Sequence, residues 1–283
     1  HVQCLITLQG VALSYRVNPS SKLARGNNIM TNNLRGLHCF TKPTIPPILN
    51  VQASAKIVKS ETVGQLTAIF YGAPSTVSGY DVCAFASAGC RKACLNTAGR
   101  GVMNMVQAAR VRKTKMFFED RPGFMTQVIK DIEALIRKAK RENLTPSVRM
   151  NGTSDIKWEK ISCGCHKNLM THFPSLVWYD YTKIPIRYRQ NLPENYSLTF
   201  SLDESNLNEA LEALAMGTNV AVVLRKDHLG NLPEFFHGIP VIDGDKHDAR
   251  YLDRKGVWVG LSAKGDAIND TSGFVYGPLP NVA

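Results

Sequence analysis

Apolar and polar positions follow two rhythms along this chain. Short runs rich in β-branched and aromatic residues recur at 66–71, 147–150, 176–181, 197–201, 219–224, 239–242 and 257–261, and each predicts a strand. Elsewhere the apolar spacing lengthens to three and four. Segment 103–118 carries apolar residues at 105, 106, 109, 116 and 117, and 124–140 sets Phe124, Val128, Ile132, Leu135, Ile136 and Ala139 on one helical face. Segment 206–216 is a third helix, closed by Gly217 as its C-terminal cap. Strands alternating with helices imply a parallel sheet. The expected fold class is therefore α/β, a full or partial (β/α) barrel with mostly parallel strands, and a doubly wound open sheet is the rival.

The run Lys42-Pro-Thr-Ile-Pro-Pro47 can continue neither a helix nor a central strand. The expected organisation is a single α/β domain over 48–283, preceded by an N-terminal extension over 1–47, part tag or disordered, with Met30 a candidate start. No run of 18 apolar residues occurs, so no membrane span is expected.

In parallel α/β folds, functional side chains gather where strands end. Here those ends are polar. They read Asn151-Gly-Thr-Ser-Asp155, Asp180-Tyr-Thr-Lys183, Ser201-Leu-Asp-Glu-Ser205, Asp243-Gly-Asp-Lys-His-Asp248 and Ser262-Ala-Lys264. Asp155 and Asp180 are candidates for a general base or for holding ribose-like hydroxyls, and Lys183 and Lys264 for holding a carboxylate or phosphate. Asp243, Asp245 and Asp248 stand close enough to bind a divalent cation or to do acid–base work. For each, ordinary turns and salt bridges are the alternative. Together the ends outline one mouth able to take a small-molecule substrate.

The segment after the first strand carries Cys83-Ala-Phe-Ala-Ser-Ala-Gly-Cys90-Arg-Lys-Ala-Cys94. Three soft thiolates on one polar loop suit an iron–sulfur centre, and three rather than four leave one position open. Zinc favours four ligands and paired C-x2-C knuckles, and simple structural thiols are the remaining alternative. Cys39, Cys163 and Cys165 are candidates for a fourth ligand, with Cys4 behind them. The expected cofactor is a [4Fe-4S] cluster at Cys83, Cys90 and Cys94. A three-cysteine loop after the first strand of a partial barrel resembles the radical S-adenosylmethionine enzymes, which implies S-adenosylmethionine as a second cofactor. Their usual C-x3-C-x2-C spacing differs from the C-x6-C-x3-C of this chain.

The net charge of +11 and pI near 9.4 favour a polyanionic partner, nucleic acid above all. The densest basic run, Arg137, Lys138, Lys140 and Arg141, lies on a predicted helix and reads as its solvated face. Seven cysteines cannot all pair with one another, and the chain is too long for a small disulfide scaffold, so a reducing cytoplasm is expected. No Walker loop or G-x-G-x-x-G fingerprint supports nucleotide hydrolysis or dinucleotide binding.

Several of these segments together resemble the gene-product-88-like family of bacteriophages and plasmids, over about residues 50–276. They are Ser54-Ala-Lys56, the cysteine loop with Leu95-Asn-Thr-Ala-Gly-Arg-Gly101, Arg149-Met-Asn-Gly-Thr-Ser-Asp155, Tyr179-Asp-Tyr-Thr-Lys183, Asn195-Tyr-Ser-Leu-Thr-Phe-Ser201, Asp243-Gly-Asp245 and Val259-Gly-Leu-Ser-Ala-Lys-Gly265. Cys163 and Cys165 stand outside that pattern. The resemblance implies a viral or mobile-element protein at work in a bacterial cytoplasm. Its function is expected to be that of an iron–sulfur protein, radical chemistry being the reaction class if it is an enzyme. The alternatives are a nucleic-acid-binding replication or repair protein with a structural cluster, and a metal-dependent nuclease or phosphotransferase centred on Asp243, Asp245 and Asp248.

Overall fold

The computed structural model describes residues 45–277, apart from 187, 188, 190 and 228. The expectations placed on the N-terminal extension, Met30, Cys4 and Cys39 lie outside the described residues. All seven expected strands form: β2 (Gln65–Ile69), β3 (Thr145–Arg149), β4 (Val177–Thr182), β5 (Tyr196–Ser201), β6 (Val220–Leu224), β8 (Ile239–Asp243) and β9 (Trp258–Ser262). Two-residue strands β1 (Asn50–Val51) and β7 (Phe235–Phe236) join them, each pairing antiparallel at one edge.

One sheet results, in the order β1-β2-β3-β4-β5-β6-β9-β8-β7. Every pairing from β2 to β8 is parallel. A full barrel is not formed, because β1 and β7 are edges and do not pair with each other. The sheet winds in one direction from β2 to β6, without the central reversal of a doubly wound sheet, and then places β9 ahead of β8.

The helices are fewer and more uneven than a regular (β/α) repeat would give. They are α1 (Ala55–Lys59), α2 (Ala88–Lys92), α3 (Asn104–Glu119), α4 (Arg121–Glu142), α5 (Leu169–His172) and α6 (Leu207–Ala215). Of these α4 follows its sequence pattern most closely. The Asp120 carboxylate caps it by accepting from Gly123 N–H, Pro122 sits in the first turn, and Asn143 ends it with a left-handed φ of 56°. Its apolar stripe of Phe124, Val128, Ile132, Leu135 and Ala139 packs with Leu66, Ala68, Phe70, Val148, Trp158 and Trp178 in one core. Burying each large side chain there contributes about 1.5–3 kcal/mol. Arg137, Lys140 and Arg141 are exposed on the opposite face, as expected of a solvated surface.

The helix expected over 103–118 forms as α3, but only part of its apolar set reaches the core: Phe117 joins it, Met116 packs against it, and Met105 is 75% exposed. The rest of its buried face, Arg110, Lys113 and Thr114, covers a polar segment. Thr114 Oγ1 accepts from Ala73 N–H at 2.8 Å, Lys113 donates to Asn50 Oδ1 at 2.8 Å, and Arg110 donates to Asn96 Oδ1. The bonds to Ala73 and Asn96 hold the two ends of the loop that carries the cysteines, and the bond to Asn50 ties α3 to β1.

Candidate metal centre and polar mouth

Between Gly72 and Met103 the chain leaves β2 and crosses the carboxyl ends of the sheet before entering α3. Its hydrogen bonds record the crossing. Thr153 Oγ1, beyond β3, donates to Gly72 O at 2.6 Å, and Asp155 N–H donates to Val82 O at 2.7 Å. Past β5, Glu204 accepts from Ser87 Oγ at 2.8 Å and Gly89 N–H at 2.7 Å. Beyond β9, Asp266 N–H donates to Thr97 Oγ1 at 3.3 Å. The cysteine loop is therefore stitched to the ends of β3, β5 and β9.

On this loop Cys83, Cys90 and Cys94 are unpaired and partly buried. Their charges are coupled. Burial pushes the Cys83 thiol up to about 12, and the charges of Cys94 and Cys90 push the same way. Burial likewise pushes Cys90 up to about 11, opposed by the Lys183 ammonium and reinforced by Cys94. Cys94 is raised by burial as well, against a backbone N–H from Asn96 and the Arg110 guanidinium. Ser75 N–H donates to Cys83 Sγ at 3.3 Å. Two of the three sulfurs thus accept backbone N–H groups, and two stand beside cations. Among the described residues, however, no three His, Cys, Asp or Glu side chains converge as a set that could hold one metal ion.

The other candidates separate. Lys183 leaves β4 toward the loop, its Nζ donating to Ser201 O and Leu202 O at 3.2 Å and pairing with Asp203 at 3.3 Å. Asp155 accepts from Lys183 N–H at 2.7 Å through one oxygen, and its other oxygen is buried with no hydrogen-bond donor among the described residues. Asp243, Asp245 and Asp248 diverge. Asp243 is exposed, and Asp245 accepts from Lys264 Nζ at 2.7 Å and Ser262 N–H at 2.9 Å. Asp248 turns inward to Lys56 at 3.1 Å and Arg149 at 3.0 Å, and accepts from Tyr179 Oη at 3.1 Å. Cys163 is buried in the core with Trp158 and Met170, and Cys165 is exposed.

The gene product 88 family profile matches residues 48–277, most of the chain and all of the sheet. The chain belongs to the gene product 88 family. No curated protein matches it, and no solved structure does. The family segment contains the whole cysteine loop and every strand end described above.

Within this gene product 88 chain, one polar cluster escaped the sequence reading as a unit. Lys56 from α1, Arg149 from β3, Tyr181 from β4 and Asp248 meet on the sheet face opposite α4. Lys56 Nζ lies 3.3 Å from Tyr181 Oη, and the Arg149 guanidinium stacks 4.5 Å from the Tyr181 ring centre. Their positions are scattered from residue 56 to residue 248, so no local motif announces them. The Lys183 and Glu204 surroundings of Cys90 are dispersed in the same way.

Asp180 is not at the mouth. It shares a face of β4 with Trp178, is buried, and accepts from Asn151 N–H at 2.6 Å and Tyr196 Oη at 2.9 Å. Burial pushes its carboxyl up to about 7, against Arg149 and those two donors. An acid with a raised folded pKa stabilises the fold at low pH, and that contribution is lost as pH rises from about 4 through about 7. Asp180→Asn keeps an acceptor for Asn151, and the Tyr196 hydroxyl can reverse to accept from the new amide. Urea midpoints of the two proteins are expected to diverge in favour of the Asp180→Asn variant between pH 5 and pH 8, by on the order of 2 kcal/mol. A constant difference across that range would contradict the assignment.

Proposed function

We propose that this protein is an iron–sulfur protein in which Cys83, Cys90 and Cys94 hold a [4Fe-4S] cluster over the carboxyl ends of the sheet. The observation that carries the reading is the disposition of the thiols. They lie unpaired and partly buried on one loop, which is hydrogen-bonded to the segments beyond β3, β5 and β9. Three soft thiolates suit a cluster with one open position, whereas structural zinc favours four ligands. The N–H groups of Ser75 and Asn96 on two of the sulfurs, and the charges of Lys183 and Arg110 acting on Cys90 and Cys94, offset part of the burial that raises all three thiols.

When bound, such a cluster supplies one-electron chemistry and, with three protein ligands, one iron open to a small molecule. The open sheet, wound one way from β2 to β6, is read as a partial (β/α) barrel whose mouth the loop covers. Lys183, held by the buried Asp203 beside the cysteine loop, would orient a polar ligand such as S-adenosylmethionine. The reading suits a phage or plasmid protein in a reducing bacterial cytoplasm. No helix among the described residues is long and apolar enough to cross a membrane.

The test is the iron, acid-labile sulfide and zinc content of the full chain purified without oxygen, with its visible spectrum. About four irons and four sulfides per chain are expected, with broad thiolate-to-iron absorption. One zinc without sulfide would overturn the proposal.

A further inference from the structure

The Cys90 segment is held by a single side chain from a distant part of the sequence. Glu204, in the turn between β5 and α6, places one carboxylate oxygen 2.7 Å from Gly89 N–H and the other 2.8 Å from Ser87 Oγ. The Ser87 hydroxyl that donates to Glu204 also accepts from Cys90 N–H at 3.0 Å. A relay therefore runs from Glu204 through Ser87 to the backbone of the central cysteine. The carboxylate lies close against the loop backbone: a Cβ on Gly89 would lie 2.7 Å from both Glu204 oxygens and closer still to Ser272 Oγ. On the other side of Cys90, Lys183 is held by Ser201 O, Leu202 O and Asp203 from the same turn. The β5–α6 turn thus supplies a carboxylate that holds Gly89 and Ser87 next to Cys90, and the anchor for the cation whose charge acts on its thiol.

We infer that Glu204 is the positioning residue of the cysteine loop, fixing Cys90 over the sheet through the Ser87 relay so that the cluster binds a preset ligand. This rests on the iron–sulfur reading. A carboxylate accepting two hydrogen bonds holds more firmly than a neutral acceptor, and outer partners of this kind govern metal retention. Glu204 also contributes negative charge near Cys90, so it bears on reduction potential as well as on geometry.

The experiment compares full-length wild type, Glu204→Gln and Ser87→Ala, prepared without oxygen and matched for far-ultraviolet circular dichroism. Glu204→Gln is expected to lose iron to a chelator roughly tenfold faster than wild type, and its midpoint potential is expected to rise because a negative charge is gone. Ser87→Ala breaks the relay but leaves that charge, so iron loss quickens while the potential stays near the wild-type value. Two variants with wild-type iron loss would overturn the inference, whatever their potentials. If wild type binds neither iron nor sulfide, the proposed function falls, and the latch is read on the metal-free chain by the rate at which iodoacetamide labels Cys90. Several-fold faster labelling in Glu204→Gln would sustain it, and equal rates would overturn it.

Discussion

Replacing Asp248 with Asn is expected to cost on the order of 3–5 kcal/mol, the usual penalty for removing one partner of a buried ion pair. Asp248 is 1% exposed and faces two cations, Lys56 at 3.1 Å and Arg149 at 3.0 Å. It also accepts from Tyr179 Oη, and its own N–H donates to Ser60 Oγ at 3.1 Å. An amide keeps the shape but leaves Lys56 and Arg149 side by side with no buried counter-charge. Lys56 retains some solvent contact, which places the effect toward the lower end of the range. For a domain of this size that corresponds to a loss of about 10 °C in Tm. The pH dependence gives the prediction its signature. Despite burial, Arg149 and Lys56 hold the Asp248 carboxyl down to about 2. Its stabilisation is fully present above the unfolded value near 4 and is lost as pH falls toward about 2. Denaturant midpoints of wild type and Asp248→Asn should therefore lie far apart at pH 7 and converge as the pH is lowered below 4. Parallel midpoints across that range would show that Lys56 and Arg149 do not lower the Asp248 carboxyl in the fold, and would overturn the assignment.

The strands were legible because a parallel sheet covered on both faces leaves near-continuous apolar runs. Val220–Leu224 and Trp258–Ser262 have no fully solvent-facing side to interrupt them. β1 and β7 were not legible, since two residues carry no periodicity. Barrel closure was not legible either. It depends on whether the two edges, β1 and β7, pair with each other, and they do not. The α3 spacing predicted the helix and the core contacts of Met116 and Phe117, but not the rest of its buried face. Apolar spacing identifies a face that seeks the core, whereas α3 also turns Arg110, Lys113 and Thr114 inward against polar partners.

The site divides along the same line. The cysteine loop could be put forward from sequence because its three thiols are neighbours there. Asp180 was misplaced at a strand end because β4 runs on to Thr182, and the period of two then puts Asp180 on the Trp178 face. The carboxylates at 243, 245 and 248 looked like one group in sequence, yet successive turns send each to a different partner. Glu204 and Lys56 were invisible as functional candidates because their partners lie 115 and 125 residues away. Short-range chemistry can be read from spacing; chemistry assembled across strands needs the sheet order.

Single replacements of Cys83, Cys90 and Cys94 by Ala are each expected to lower bound iron and sulfide by roughly tenfold or more, because a cluster short of a thiolate loses an anchor that no neighbouring side chain replaces. The controls lie within the same protein. Cys163 is 1% exposed in the core beside Trp158, so Cys163→Ala opens a small cavity and is expected to cost about 1–2 kcal/mol in stability while leaving iron untouched. Cys165 is exposed, and its replacement should change neither. Metal analysis and urea unfolding on the five variants therefore separate two kinds of cysteine. Loss of iron without loss of the sheet marks a ligand, and loss of stability with iron intact marks a packed thiol. If Cys163→Ala sheds iron as fully as Cys90→Ala, the three-cysteine ligand set is incomplete and the open iron with it. If the loop variants lose stability but no metal, Cys83, Cys90 and Cys94 are structural thiols that brace a lid over the mouth. The decisive comparison is Cys90→Ala against Cys163→Ala: both remove a single sulfur, one from the loop that Glu204 holds over the strand ends and one from the hydrophobic core.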